Sequence, residues 1–283
     1  MKFGFFGINF GPCVDPAVAR RVAQAAEQRG IESVWTGEHV VLPDPQAPPS
    51  PAPPEAPFLD PAVALAFVAA HTRTIRLGTG IIILPQRNPL VLAKELASVD
   101  VVSNGRLMFG IGIGYLKPEF DALGIPFTQK GARAIEYLEA ILAMWTQPKP
   151  AYGGRFVKFA GIQANPRPVQ RPHPPIVMGG GTPEAFRRSV THANGWYGFA
   201  LDLPTTARFI EGLQTAARQH QRPAALGALE ISVTPTPVMK LDADAVRRFA
   251  DLGVHRLIVY RPAATEADCL AAVDHIAALQ GAR

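Results

Sequence analysis

Residues 77–115 constrain the fold more than any other stretch. They read LGTGIIILPQRNPLVLAKELASVDVVSNGRLMFGIGIGY. A β-rich run from Ile75 to Leu84 opens the stretch, and a second, Leu107 to Ile113, closes it. Between them Leu90, Leu92, Ala93, Leu96, Ala97 and Val101 recur at helical spacing. Such a unit is strand–helix–strand with parallel strands and a right-handed crossover. Both strands are apolar without alternation, as in a sheet covered on both faces. Glycines gather toward their C-terminal ends: Gly78 and Gly80, then Gly110, Gly112 and Gly114. Glycine inside a strand marks a bulge or a close approach to the backbone. The approaching group is either a bulky neighbour in a tight barrel or, more simply, a flat cofactor.

The same unit recurs along the chain. Lys2 to Ile8 reads as the first strand. Asp15-Pro16 gives a capping residue and a proline at the first helical position. The helix they start carries Val18, Val22, Ala25 and Ala26 on its apolar side, and Gly30 ends it. Ile31 to Thr36 is the second strand. Residues 43–57, PDPQAPPSPAPPEAP, contain eight prolines and can form neither a helix nor a central strand. They read as a long semi-rigid loop, either an insertion or a lid. Asp60-Pro61 starts the next helix, which runs to about Thr72. Residues 116–127 read as irregular. Gly131 to Trp145 reads as a helix with Trp145 as a core anchor, and Tyr152 to Phe159 as a hairpin. Ile176 to Met178, Gly195 to Ala200, Glu230 to Thr234 and Val254 to Tyr260 are the remaining strands. Helices over Thr205 to Arg218 and Ala243 to Leu252 lie among them, and Thr265 with Asp268 forms a capping box for the last helix.

Strand and helix thus alternate eight times with no dividing linker. This predicts an α/β fold, a (β/α)8 TIM barrel with insertions, as one domain over residues 1–283. The rival architecture is an open doubly wound sheet. Its dinucleotide fingerprint is missing, because Gly110-Ile111-Gly112-Ile113-Gly114 has the wrong spacing.

Composition removes several function classes. No apolar run approaches the roughly 18 residues of a membrane span. The N-terminus, MKFGFFGINFGP, reads as a first strand rather than a signal peptide, so the expected location is cytoplasmic. Cys13 and Cys269 are too few for a disulfide framework, and the histidines show no metal-ligand spacing. The net charge is +5, but Lys and Arg are dispersed, which argues against nucleic acid and suits an anionic small molecule.

In a barrel, chemistry sits at the C-terminal ends of the strands. Glu38 and His39 follow the second strand there; His39 can exchange a proton near neutral pH, and Glu38 is its sequence neighbour. Gly80 and Ile81 lie in the third strand, and Ile113, Gly114 and Tyr115 end the fourth. Gly179-Gly180-Gly181-Thr182-Pro183 follows the fifth. Consecutive glycines leave amides open, Thr182 caps the next helix, and the helix dipole favours an anion, so this turn suits a phosphate. Arg187 and Arg188 lie one turn further on.

Several motifs together resemble the luciferase-like monooxygenase superfamily, and within it the actinobacterial coenzyme F420-dependent oxidoreductases. They are WTGEH (35–39), TGIIILPQRNP (79–89), AKELASVD (93–100), SNGR (103–106), GIGIGY (110–115) and MGGGTPEAFRR (178–188). The resemblance covers nearly the whole chain. It implies a deazaflavin or flavin at the barrel mouth. Gly80-Ile81 would be a bulged segment with a non-prolyl cis peptide against the ring. Ile113 and Gly114 would contact the cofactor, and Gly180, Gly181 and Thr182 would hold its phosphate. Glu38-His39 matches an acidic-residue–His pair beside the ring. The sugar phosphate dehydrogenases of this group have a glutamate where this chain has Tyr115, so a sugar phosphate is not the expected substrate and Tyr115 becomes a candidate proton donor.

The expected function is hydride transfer between reduced F420 and a small organic substrate. An FMN-dependent monooxygenase is the close alternative, and a non-catalytic flavin- or deazaflavin-binding protein the more distant one. Arg87, Lys117, Arg187 and Arg188 are the cations expected to line the rim and favour the anionic F420 tail. A homodimer is compatible with this reading.

Overall fold

The computed structural model describes residues 1–281. The strands are β1 (Lys2–Phe6), β2 (Ser33–Thr36), β3 (Arg76–Thr79), β4 (Ile82–Ile83), β5 (Leu107–Gly112), β6 (Tyr152–Gly153), β7 (Lys158–Phe159), β8 (Ile176–Gly179), β9 (Gly195–Leu201), β10 (Glu230–Pro235) and β11 (Arg256–Val259). The helices are α1 (Pro16–Gln28), α2 (Pro61–His71), α3 (Pro89–Val102), α4 (Lys117–Ala122), α5 (Lys130–Thr146), α6 (Pro183–His192), α7 (Leu203–Gln219), α8 (Ala243–Asp251) and α9 (Glu266–Gly281).

The main sheet runs β3-β2-β1-β11-β10-β9-β8-β5-β4, and β3 also pairs with β5, which closes it. Every pairing within it is parallel. With β3 and β4 counted as one interrupted strand, this is the eight-stranded barrel. A closed barrel leaves no strand edge unpaired. β6 and β7 form the expected hairpin outside it.

The helices start as their sequences direct. Asp15, Asp60, Asn88, Thr182, Asp202 and Asp242 each accept amide hydrogen bonds from the first turn of the helix that follows. Proline follows four of these caps directly and comes one residue later after Asp202. Thr265 and Asp268 exchange hydrogen bonds at the start of α9. One large apolar core lies between the barrel and its helices, with Trp145 in it. A second fills the barrel itself, built from Phe6, Trp35, Met108, Val177, Tyr197 and Ile258. Cys13 and Cys269 are buried and free. Among the described residues no helix is long and apolar enough to cross a membrane.

Two segments differ from the sequence reading. The run Ile75 to Leu84 is not one strand. It breaks after Thr79, resumes as β4, and ends in a 3-10 helix over Leu84–Gln86. From the pair Gly78↔Met108 to the pair Ile82↔Ile111, one side advances four residues and the other three. One extra residue is therefore looped out, which defines a bulge. Groups of the neighbouring β2 segment take the freed amides: Gly80 N donates to Thr36 O at 2.9 Å, and Ile83 N donates to the Glu38 carboxylate. Residues 116–127 are not wholly irregular either, since they contain α4. Leu116 and Phe120, four residues apart, are both buried and hold that short helix to the mouth.

The strand glycines have a different cause from a flat cofactor. A Cβ on Gly78 would enter the Trp35 ring, one on Gly110 the Thr79 carbonyl, and one on Gly112 the Ile81 side chain. Trp35 and the bulge occupy the space, so the close approach at these three positions is made by the protein itself.

Candidate active site

The C-terminal ends of the strands open on one mouth. His39, just beyond β2, has its side chain 9% exposed. Its Nδ1 faces Glu119 Oε2 at 3.5 Å, and Glu119 itself is fully buried. The other Glu119 oxygen accepts from Val40 N at 2.7 Å. Burial pushes the Glu119 carboxyl up. Hydrogen bonding from His39, Gln86 and the Val40 amide, with the His39 charge, outweighs burial and holds it below the ordinary carboxylate value. The 3.5 Å separation lies at the outer limit of a hydrogen bond. His39 Nδ1, Glu119 Oε2 and both amide atoms of Gln86 have no closer partner among the described residues. Four buried polar atoms without close partners thus accompany a titratable side chain at the mouth.

Glu38 does not join them. Its side chain is 1% exposed. Arg87 holds it through Nε at 3.0 Å and through a second nitrogen, and Ile83 N donates to its other oxygen. Arg87 also reaches Asp60 at 2.8 Å. Burial pushes the Glu38 carboxyl up against the opposing pull of Arg87 and the Ile83 amide. With both oxygens engaged, Glu38 fastens the bulge to β2 and is not open to a substrate. The acidic partner of His39 is Glu119, eighty residues along the chain rather than one. Arg87 is likewise committed, and Lys117 pairs with Asp121 at 2.6 Å, so neither is a free rim cation.

Tyr115 is half exposed, and its ring meets that of His39 edge-on with centroids 6.2 Å apart. Partial burial, then the nearby Glu119 charge, pushes its hydroxyl pKa up, so the hydroxyl keeps its proton at neutral pH.

The Gly80–Ile81 peptide is cis. The Ile81 side chain packs on the barrel core and lies across Gly112 toward Gly179. Ile113 and Gly114 continue from β5, and the Gly114 carbonyl accepts from Lys130 Nζ at 2.7 Å. Across the mouth, Gly180 has φ +123° and its carbonyl accepts from Trp196 Nε1 at 2.9 Å. A Cβ on Gly181 would run into the Phe209 ring. Thr182 Oγ1 caps Ala185 N at 3.2 Å. The amides of Gly180, Gly181 and Thr182 have no hydrogen-bond partner among the described residues. Arg187 and Arg188 follow on α6 without an ion-pair carboxylate among the described residues. Three open amides at a helix N-terminus, with two unpaired guanidinium groups one turn on, fit a phosphate monoester.

Sequence reasoning therefore found the two ends of this mouth but missed Glu119 and Gln86. The run Leu116-Lys117-Pro118-Glu119 carries the missing signal, since proline followed by an acidic residue is a helix start.

A closed parallel barrel with a histidine–carboxylate pair and a turn of open amides at its C-terminal mouth is the arrangement of barrel enzymes, whose sites sit at the C-terminal ends of their strands. The chain belongs to the luciferase-like monooxygenase family, whose model matches residues 1–281. It is 32% identical to an uncharacterized protein of Mycobacterium tuberculosis over 98% of both chains. It is 33% identical to the oxygenase component of flavin-dependent trigonelline monooxygenase from Acinetobacter baylyi, over 60% of this chain and 44% of that one. Its fold matches the coenzyme F420 dependent tetrahydromethanopterin reductase of Methanopyrus kandleri, with TM-score 0.75 and 18% identity over 97% of this chain and 99% of that one.

Proposed function

We propose that this chain transfers hydride between reduced coenzyme F420 and a small organic substrate. The observation that carries the reading is the Gly180–Thr182 turn of three open amides, with Arg187 and Arg188 one turn further along α6 as further positive charge. F420 continues from its phosphate into a tail bearing several carboxylates, and FMN does not. Gly180, Gly181 and Thr182 would hold the phosphate, and Gly80, Ile81, Ile113 and Gly114 would bear on the ring.

When bound, F420 supplies the hydride. The protein supplies the proton and the orientation. His39 presents a ring edge to the mouth while Glu119 holds its Nδ1 side. In that orientation His39 can give a proton to a substrate oxygen as hydride reaches the adjacent carbon, or take one in reverse. Tyr115, protonated and beside His39, is a second donor. Ile81 and the barrel core beneath it keep water from below.

A second reading, an FMN-dependent monooxygenase, draws on the likeness to the trigonelline enzyme, whose name states flavin dependence. Anaerobic mixing with reduced F420 and a panel of ketones and enones separates the two. Oxidation of reduced F420 that needs the organic acceptor and no oxygen is the expected result. Turnover that requires reduced FMN and oxygen would replace the proposal with the second reading.

A further inference from the structure

One wall of the mouth is aromatic over its whole length. From Phe199 at the end of β9 the rings pass to Phe6 at 5.1 Å, then Phe10 at 5.6 Å, Phe58 at 5.2 Å, His39 at 5.6 Å and Tyr115 at 6.2 Å. Tyr260, beyond β11, meets Phe6, Phe10 and Phe199 at 5.7, 6.0 and 6.5 Å. The arc is open at both ends: Phe199 is 48% exposed and Tyr115 50%.

Phe199 is turned out by its own backbone. Ala200 has φ +55°, which L-residues other than Asn and Asp seldom adopt, and the register between β9 and β10 shifts between Val233 and Pro235. A large apolar ring is thereby presented to solvent rather than to the core. The carboxylates described at this wall are all engaged. Glu119 is committed to His39 and Val40, and Glu38 and Asp60 are committed to Arg87. Arg187 and Arg188 lie on α6, away from the arc, and Arg261 follows Tyr260 at its edge.

We propose that the substrate is a flat, uncharged aromatic ketone or enone that lies against this arc with its oxygen toward His39. The inference rests on the function proposed above for the direction of the chemistry, but the arc itself is built by the protein alone. In the reduction, the carbonyl π bond breaks, a C–H bond forms with the hydride and an O–H bond forms with the His39 proton. The ketone is reduced and the cofactor oxidised. Aromatic rings favour offset and edge-on partners, which the tilted and edge-on rings of this wall provide, whereas a phosphorylated or sugar substrate would desolvate without a partner.

The test is saturation-transfer NMR titration of the full chain without cofactor, using 1-tetralone, cyclohexanone and glucose. The expected result is 1-tetralone binding at least about tenfold tighter than either of the others. Phe199→Ala, with its fold checked by an unchanged melting curve, should weaken 1-tetralone about tenfold, the size of one lost aromatic contact, and leave cyclohexanone unchanged. Phe199→Tyr should restore it. Equal or tighter binding of glucose, or no effect of Phe199→Ala, would overturn the proposal. Because no cofactor takes part, failure of F420 to bind would sink the function reading and leave this result legible.

Discussion

His39 and Glu38 are neighbours in sequence and opposites in space. Successive side chains on an extended segment point to opposite sides. Glu38 turns to Arg87 and the bulge, and His39 turns to Glu119. The strand-end position of His39 was therefore legible, while its partner depended on where α4 would dock, which no local pattern near His39 reveals. If His39 exchanges the proton, His39→Ala should still fold, with a lower melting temperature because Glu119 loses its partner, and should lower turnover by about two to four orders of magnitude, read by steady-state kinetics. Glu119→Gln tests the pair through stability. The folded carboxyl lies below its ordinary value of 4.5, so it stabilises the fold above that pH, and the contribution is lost as pH falls through the folded value. Removing a charge-assisted hydrogen bond of this kind costs about 1.5–3 kcal/mol. Urea unfolding should show that deficit at about pH 7, and the gap between Glu119→Gln and the unaltered chain should close well below pH 4.5.

At the scale of the element, the interrupted strand β3–β4 shapes the mouth. It could be read as one continuous strand because every residue from Ile75 to Leu84 outside the glycines and Thr79 or Arg76 is apolar. The break comes from hydrogen bonds to β2, which are non-local, and only the resemblance to known barrels pointed to it. The glycines of the neighbouring strand β5 meet it in two kinds of crowding. A Cβ on Gly110 would meet the Thr79 main chain, which has nowhere to go, whereas one on Gly112 would meet the tip of the Ile81 side chain, which can rotate. Gly110→Ala is expected to abolish expression of folded protein. Gly112→Ala should fold at a cost of about 1–3 kcal/mol, the range for overpacking, and should weaken cofactor binding by displacing Ile81. Circular dichroism melting of both variants checks this; equal stability of the two would contradict the packing assigned to the bulge.

The whole barrel was the most legible level, because eight alternations of strand and helix leave few other ways to bury a continuously apolar sheet. Its surface carries a further feature. Val63 on α2 and Val91 and Val102 on α3 are 66%, 55% and 60% exposed, on helices rich in apolar residues. Such helices are ordinarily covered. The chain is expected to pair with a second copy through this face, giving twice its 30.4 kDa by light scattering, and Val63→Glu with Val91→Glu should shift it to the monomer. Cofactor choice at the mouth is decided by equilibrium dialysis of F420 and FMN against the chain and against an Arg187→Gln, Arg188→Gln variant. F420 is expected to bind about tenfold tighter or more, and both added salt and the variant should shrink this margin, since they screen or remove positive charge near the turn. Tighter binding of FMN, or a preference for F420 that ignores both salt and the two arginines, would contradict it.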